Sequence, residues 1–202
     1  MRLQAAIKLM LWTALVTAIL TSLYWITAYD LLDRPAAAST GGSEWHPEKT
    51  ADRRSDLAVA IPVQGIKPSE LIDSWDQSRA EGRLHRAIDI PAPVGTPVIA
   101  AMDGRIEKLF NSDRGGLTIY QRAADGRLML YYAHLQGYRR GLAEGQPVTR
   151  GQVIATVGAS GNADPAFPHL HFQMLETAPG SPWNAGEPIN PYPLLAGKRA
   201  PR

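Results

Sequence analysis

The 202-residue chain contains no cysteine. Disulfides, thiolate metal sites and cysteine nucleophiles are thereby excluded, and any metal must be held by nitrogen and oxygen. A chain without thiols suits any compartment, including an oxidising one. Charge of one sign is lacking too. Lys and Arg number 21 against 19 Asp and Glu, a formal net charge of +2, so composition offers no argument for a nucleic-acid partner. Two catalytic and architectural signatures are missing. Gly158-Ala159-Ser160-Gly161 lacks the G-x-S-x-G spacing of a nucleophilic serine elbow. No heptad pattern or coiled coil is visible.

Charge is also absent locally, from residues 9–29, which read LMLWTALVTAILTSLYWITAY. Roughly 20 helical residues cross the hydrocarbon core of a bilayer. Trp12 near one end and Tyr24, Trp25 and Tyr29 near the other suit the two interfaces. Arg2 and Lys8 precede the run and Asp30 and Asp33 follow it. The excess of positive charge on the cytoplasmic side orients such a segment. Residues 1–8 are therefore expected in the cytoplasm, 9–29 as a transmembrane helix in the inner membrane, and the remainder on the periplasmic side. A cleaved signal peptide is the competing reading, with Ala36-Ala37-Ala38-Ser39 as the cut region. The apolar run is longer than such peptides use, which favours an uncleaved anchor.

Residues 30–55 hold Pro35, a small-residue tract and a charged tract without apolar periodicity, and read as a flexible linker. His46 falls within it and is read as an exposed residue without function. From about residue 56 the texture changes to short β-rich runs at 58–63, 97–101, 104–109, 117–122, 128–133, 153–157 and 170–175. Residues 69–75 read as a short helix or an irregular turn. Asp103-Gly104, Arg114-Gly115-Gly116 and Asp125-Gly126 punctuate the runs, as hairpin turns do. The expected fold is a mainly β, compact antiparallel domain over residues 56–196, followed by a disordered tail at 197–202.

Four of the five histidines stand in apolar, strand-like settings. In Pro168-His169-Leu170-His171-Phe172, alternation puts His169 and His171 on one face and Leu170 and Phe172 in the core. Upstream, His85 and Asp89 are four apart, and the neighbouring Ile88, Ile90 and Pro91 favour an extended strand. His134 ends the run 130–134. Singly, each histidine reads as an ordinary hydrogen-bonded residue. Together with an aspartate at ligand spacing they suit a divalent transition metal, above all zinc. Three ligands with an open position would make the metal catalytic, and two imidazoles would remain for proton transfer and polarisation.

His85-x-x-x-Asp89, then Tyr132-x-His134-Leu135, then Pro168-His169-Leu170-His171-Phe172, in this order, closely resembles the lysostaphin-type (LytM-domain) zinc metallopeptidases, which cut peptide bonds in bacterial peptidoglycan. The similarity runs from about Pro62 to Pro193. It includes Gly95-Thr96-Pro97-Val98 and the turn Val157-Gly158-x-Ser160-Gly161. The resemblance implies an antiparallel β-sandwich, one Zn2+ ion held by His85, Asp89 and His171, and catalytic roles for His134 and His169. Which of the last two is the general base stays open. It also implies peptidoglycan stem peptides as substrate and an endopeptidase reaction by a metal-activated water. The alternative is a catalytically impaired relative that binds or activates another cell-wall hydrolase, though such relatives lack some ligands. An unidentified protein regulator is left open.

Two departures stand out. Ala87 replaces the usual glycine of H-x-G-x-D, and its methyl group would tighten the groove or shift a ligand. Gln173 stands where glutamate is frequent, which would weaken a contact behind the ligands. A second likeness joins residues 98–106 and 144–154 to the hairpins of biotinyl and lipoyl carrier domains. Lys108 is the only lysine between Lys67 and Lys198 and lies inside a strand-like run, so the likeness is one of hairpin geometry.

Overall fold

The computed structural model describes residues 58–79 and 82–198. The segments read above as cytoplasmic end, transmembrane helix and linker lie outside the described residues, as do His46 and residues 199–202. Among the described residues no helix is long and apolar enough to cross a membrane.

Among the described residues nine strands carry the fold: β1 (Ile88–Pro91), β2 (Pro97–Ile99), β3 (Gly104–Ser112), β4 (Gly116–Ala123), β5 (Leu128–Tyr138), β6 (Pro147–Val148), β7 (Val153–Val157), β8 (His169–Glu176) and β9 (Glu187–Ile189). A 3-10 turn at Pro68–Glu70 precedes them, and a single helical turn, α1 (Tyr192–Leu195), follows. The expected turns join the longest strands. Gly126, at φ 73°, and the Asp125 carboxylate, which accepts from the Arg127 N–H at 2.9 Å, close the β4–β5 hairpin. Residues 58–63 do not form a strand. Pro62 has no N–H to offer a ladder, and the run is tied down by a single bridge between Val63 and Val98 and by the Ala60 N–H on the Ala101 carbonyl at 2.8 Å.

Strand order is β1-β8-β5-β4-β3-β6, with β9 on β8, β7 on β5 and β2 on β7, every pair antiparallel. The expected sandwich of two sheets is thus one hydrogen-bonded system, because β5 belongs to both parts. Its residues 128–133 pair with β8, and Leu135, Gly137 and Tyr138 pair with β7. The change of partner falls at His134, whose φ is 59°. On β4 the register shifts at the same place, Leu117 facing Leu135 and Ile119 facing Tyr132, the mark of a β-bulge.

The two parts close over a common core in which Ile88, Ile90, Leu170 and Phe172 meet Ile119, Tyr132, Val98, Ile154 and Val157. Each large side chain taken from water here contributes about 1.5–3 kcal/mol. Tyr132 is fully buried, and its polar tip is satisfied. It donates to Gln121 Oε1 at 2.6 Å and accepts from the Ala101 N–H at 3.0 Å. This linkage joins β5 to the segment after β2 and fixes the strand that carries His134.

Candidate active site

β1 and β8 run side by side, with Asp89 opposite His171 and Pro91 opposite His169. On the other flank of β8, His171 stands opposite Ala133 of β5. Burial along β8 alternates as its sequence dictates: Leu170, Phe172 and Met174 face the core, and His169, His171 and Gln173 line the other face.

His85 reaches that face by another route than the expected continuous strand. β1 begins only at Ile88, and Arg86 adopts a left-handed φ of 53°. Residues 74–79 double back along 83–86. The His85 N–H donates to the Gln77 carbonyl at 2.9 Å, the Arg86 N–H to Trp75 at 3.0 Å and the Arg79 N–H to Arg83 at 2.7 Å. This excursion orients the buried imidazole. Nδ1 of His85 lies 2.9 Å from the Ser74 carbonyl. A carbonyl only accepts, so Nδ1 carries the proton and Nε2 keeps its lone pair.

That lone pair is aimed at other donors. His85 Nε2 is 3.0 Å from Asp89 Oδ1 and 3.0 Å from His171 Nδ1, and His171 Nδ1 is 3.1 Å from Asp89 Oδ1. Three donor atoms so close repel unless a cation or a proton sits among them. In a tetrahedral site with metal–ligand bonds near 2.0–2.1 Å, donors stand about 3.3 Å apart. The triangle is of that size, and two imidazoles with a carboxylate are a donor set zinc accepts. His171 and Asp89 are also in their binding forms. Burial pushes the His171 imidazolium down, and Asp89 only partly opposes it. Burial would raise the Asp89 carboxyl, but the His171 and His85 imidazoles beside it outweigh this and hold the group well below the usual carboxylate range.

The remaining two histidines are tethered by the same device. His134 Nδ1 is 2.9 Å from the Ser160 carbonyl and His169 Nδ1 is 2.8 Å from the Phe167 carbonyl, so both Nε2 atoms are free to accept. The His134 and His169 rings lie 5.0 Å apart, His134 and His171 5.7 Å, and His169 Nε2 is 3.7 Å from Asp89 Oδ1. Burial lowers the His134 pKa to about 4, the Ser160 carbonyl opposing it in part. The imidazole is therefore neutral at neutral pH. All five residues singled out in the sequence are thus gathered on one face.

Ser160 is itself fastened: its hydroxyl donates to the Leu135 carbonyl at 2.7 Å and accepts from the Leu117 N–H at 3.0 Å. A side chain at Gly161 would collide with the Gly116 nitrogen and the Arg114 carbonyl, so this turn sits backbone against backbone on the β3–β4 hairpin. The turn Val157–Gly161 is what aims His134.

Two contributors, Ser74 and Arg79, escaped the sequence reading, and Gln173, expected there to weaken a contact behind the ligands, makes one instead. The Ser74 hydroxyl accepts from the Asp89 N–H at 3.0 Å while its carbonyl holds His85. Arg79 pairs its Nη2 with Asp89 Oδ2. Gln173 donates from Nε2 to the Arg86 carbonyl at 2.9 Å, bracing the left-handed residue beside His85. An ionised glutamate has no proton to give there, so Gln173 makes a contact that the frequent glutamate could not. Ala87 is fully buried, without access to solvent. A hydroxyl or guanidinium acting across 10 to 15 residues of irregular chain leaves no periodic trace, and only Ser74 and Arg79 themselves could have been noted as polar residues upstream of the motif.

A profile of the Peptidase family M23 matches residues 83–191. Among curated proteins, an L-Ala--D-Glu endopeptidase of Bacillus subtilis is 35% identical over 129 residues, 60% of this chain and 38% of that protein. The peptidoglycan DD-endopeptidase ShyC of Vibrio cholerae is 40% identical over 127 residues, 63% of this chain and 27% of that protein. The chain thus matches well under half the length of either relative. Among solved structures, the antimicrobial peptidase lysostaphin of Staphylococcus simulans superposes with a TM-score of 0.53 at 27% identity, covering 63% of this chain and 49% of that one. A zinc-containing peptidase from Vibrio cholerae gives 0.51 at 26% identity, covering 66% and 39%.

Proposed function

This chain is a member of peptidase family M23, and from that membership we propose that it is a zinc-dependent endopeptidase hydrolysing the peptide crosslinks of bacterial peptidoglycan. The observation that carries the reading is the triangle of His85 Nε2, Asp89 Oδ1 and His171 Nδ1, 3.0–3.1 Å on a side, beside two histidines whose Nδ1 atoms are pinned to main-chain carbonyls. The relatives named as an L-Ala--D-Glu endopeptidase and a peptidoglycan DD-endopeptidase support the substrate class.

His85, Asp89 and His171 would hold the ion. Bound zinc supplies a Lewis acid for the scissile carbonyl and lowers the pKa of a water towards about 7. The chain's own residues handle the protons. One Nε2 of the His134–His169 pair accepts the proton as the water oxygen bonds to the carbonyl carbon. The other imidazole, whose Nδ1 proton is held by a main-chain carbonyl, donates to the oxygen on which negative charge develops when its Nε2 is also protonated. When the C–N bond breaks, the stored proton passes to the leaving amine. No covalent bond to the protein forms. Pinning Nδ1 fixes both tautomers, so no ring rotation is needed before transfer. His134, neutral at physiological pH, is already in the accepting form.

Residues 9–29 would hold the protein in the inner membrane with residues 56–196 facing the peptidoglycan, supported by the charge-free run and its flanking charges. Protease treatment of spheroplasts should remove the domain while residues 1–8 stay protected; a protected domain counts against this placement. The activity itself is tested by incubating the full chain with purified sacculi. Soluble muropeptides with new amino termini should appear, vanish with chelator and return with zinc. Release that ignores the chelator, or no release at all, overturns the reading.

A further inference from the structure

Asp89 offers a metal only one of its two oxygens. Oδ1 is 3.0 Å from His85 Nε2 and 3.1 Å from His171 Nδ1, whereas Oδ2 is paired with the Arg79 guanidinium. A carboxylate can bind a cation through one oxygen or through both. Binding through both would add a ligand and crowd the position that hydrolysis needs open. We infer that Arg79 is a positioning residue that keeps Asp89 a single-oxygen ligand by holding Oδ2 away from the metal. The inference rests on the metal reading of the triangle.

Three further observations support this role. Arg79 lies on the excursion that orients the other groups, since Ser74 on the same segment binds both the Asp89 N–H and His85 Nδ1. The arginine backbone is fixed independently of its side chain, by its N–H on the Arg83 carbonyl at 2.7 Å and by the neighbouring bridge between Ser78 and Leu84. The Arg79 side chain is 41% exposed. An ion pair so open contributes about 0–1 kcal/mol to stability. Its effect therefore lies in where the carboxylate points and in the charge it balances, not in holding the fold.

A readout independent of catalysis tests the inference. The full chain is loaded with cobalt, whose visible absorption weakens as coordination number rises, and zinc affinity is measured by competition with a chromophoric chelator. Arg79→Met should show a weaker cobalt band and bind zinc about 10–100-fold less tightly. Arg79→Lys, which keeps a charged donor, should restore the band and bring affinity back to within about threefold, a partial return consistent with one point contact instead of a fork. Arg79→Ala repeats the deletion should the methionine variant fold poorly. Arg79→Met and Arg79→Ala with the unmodified spectrum and zinc affinity overturn the inference alone. A parent chain that takes up neither cobalt nor zinc removes the metal reading, and this inference with it.

Discussion

His134 combines two costs that an ordinary core residue avoids: a left-handed backbone at φ 59° and a buried imidazole whose pKa is lowered to about 4. A side chain other than glycine in that conformation costs about 1–2 kcal/mol. His134→Gly should therefore be more stable than His134→Ala by about 1 kcal/mol in urea titrations, while both lose about 100-fold or more of any hydrolytic rate. Equal stabilities would mean that the bulge does not hold this residue left-handed. The titration has its own consequence. The unfolded histidine, with a pKa near 6.5, binds a proton more readily than the folded one. The penalty is absent above about pH 6.5, grows as pH falls and is complete near pH 4. The urea midpoint of the metal-free chain should thus decline between pH 6.5 and 4, and less steeply in His134→Gln. An identical slope in the two proteins would contradict the assignment. Little of this was legible in the sequence: Tyr132-Ala133-His134-Leu135 displays a histidine at a strand end, and nothing in it announces a positive φ.

At the scale of elements, period two sufficed wherever a strand has one buried face. β8 shows its alternation openly, so the shared face of His169 and His171 could be read directly. The same reasoning ran short at β5, where Gln136-Gly137 resembles a turn. The strand instead continues to Tyr138 by exchanging β8 for β7. Such an exchange depends on partners more than 15 residues away and leaves no local pattern. β6 and β9 escaped notice because they are two and three residues long and each includes a proline, as edge strands tolerate. The Val157–Gly161 turn joins these levels, since its seat against the β3–β4 hairpin fixes the carbonyl that holds His134. Gly161→Ala, at φ 72° and with backbone in the way, should cost about 2–3 kcal/mol. It should also lower the hydrolytic rate about tenfold or more under conditions where circular dichroism shows the chain folded. A folded variant with unchanged rate would separate this turn from the chemistry.

For the whole molecule, the decisive fact is separation along the chain. His85 and His171 are 86 residues apart, and Asp89 and His171 are 82 apart. The triangle exists only when β1 and β8 are paired, so an ion bound there draws on folding free energy. The motif residues were readable because each sits in a short apolar context of its own. Their convergence follows from the register Asp89 opposite His171. The central claim is a division of labour among five residues, three holding one zinc, one moving the proton and one stabilising the developing charge. It is tested most directly by zinc content after equilibrium dialysis. The account predicts one zinc per chain in the parent, in His134→Ala and in His169→Ala, and none in His85→Ala, Asp89→Ala or His171→Ala. A parent chain without zinc, or loss of zinc from His134→Ala or His169→Ala as complete as from the ligand variants, would contradict it.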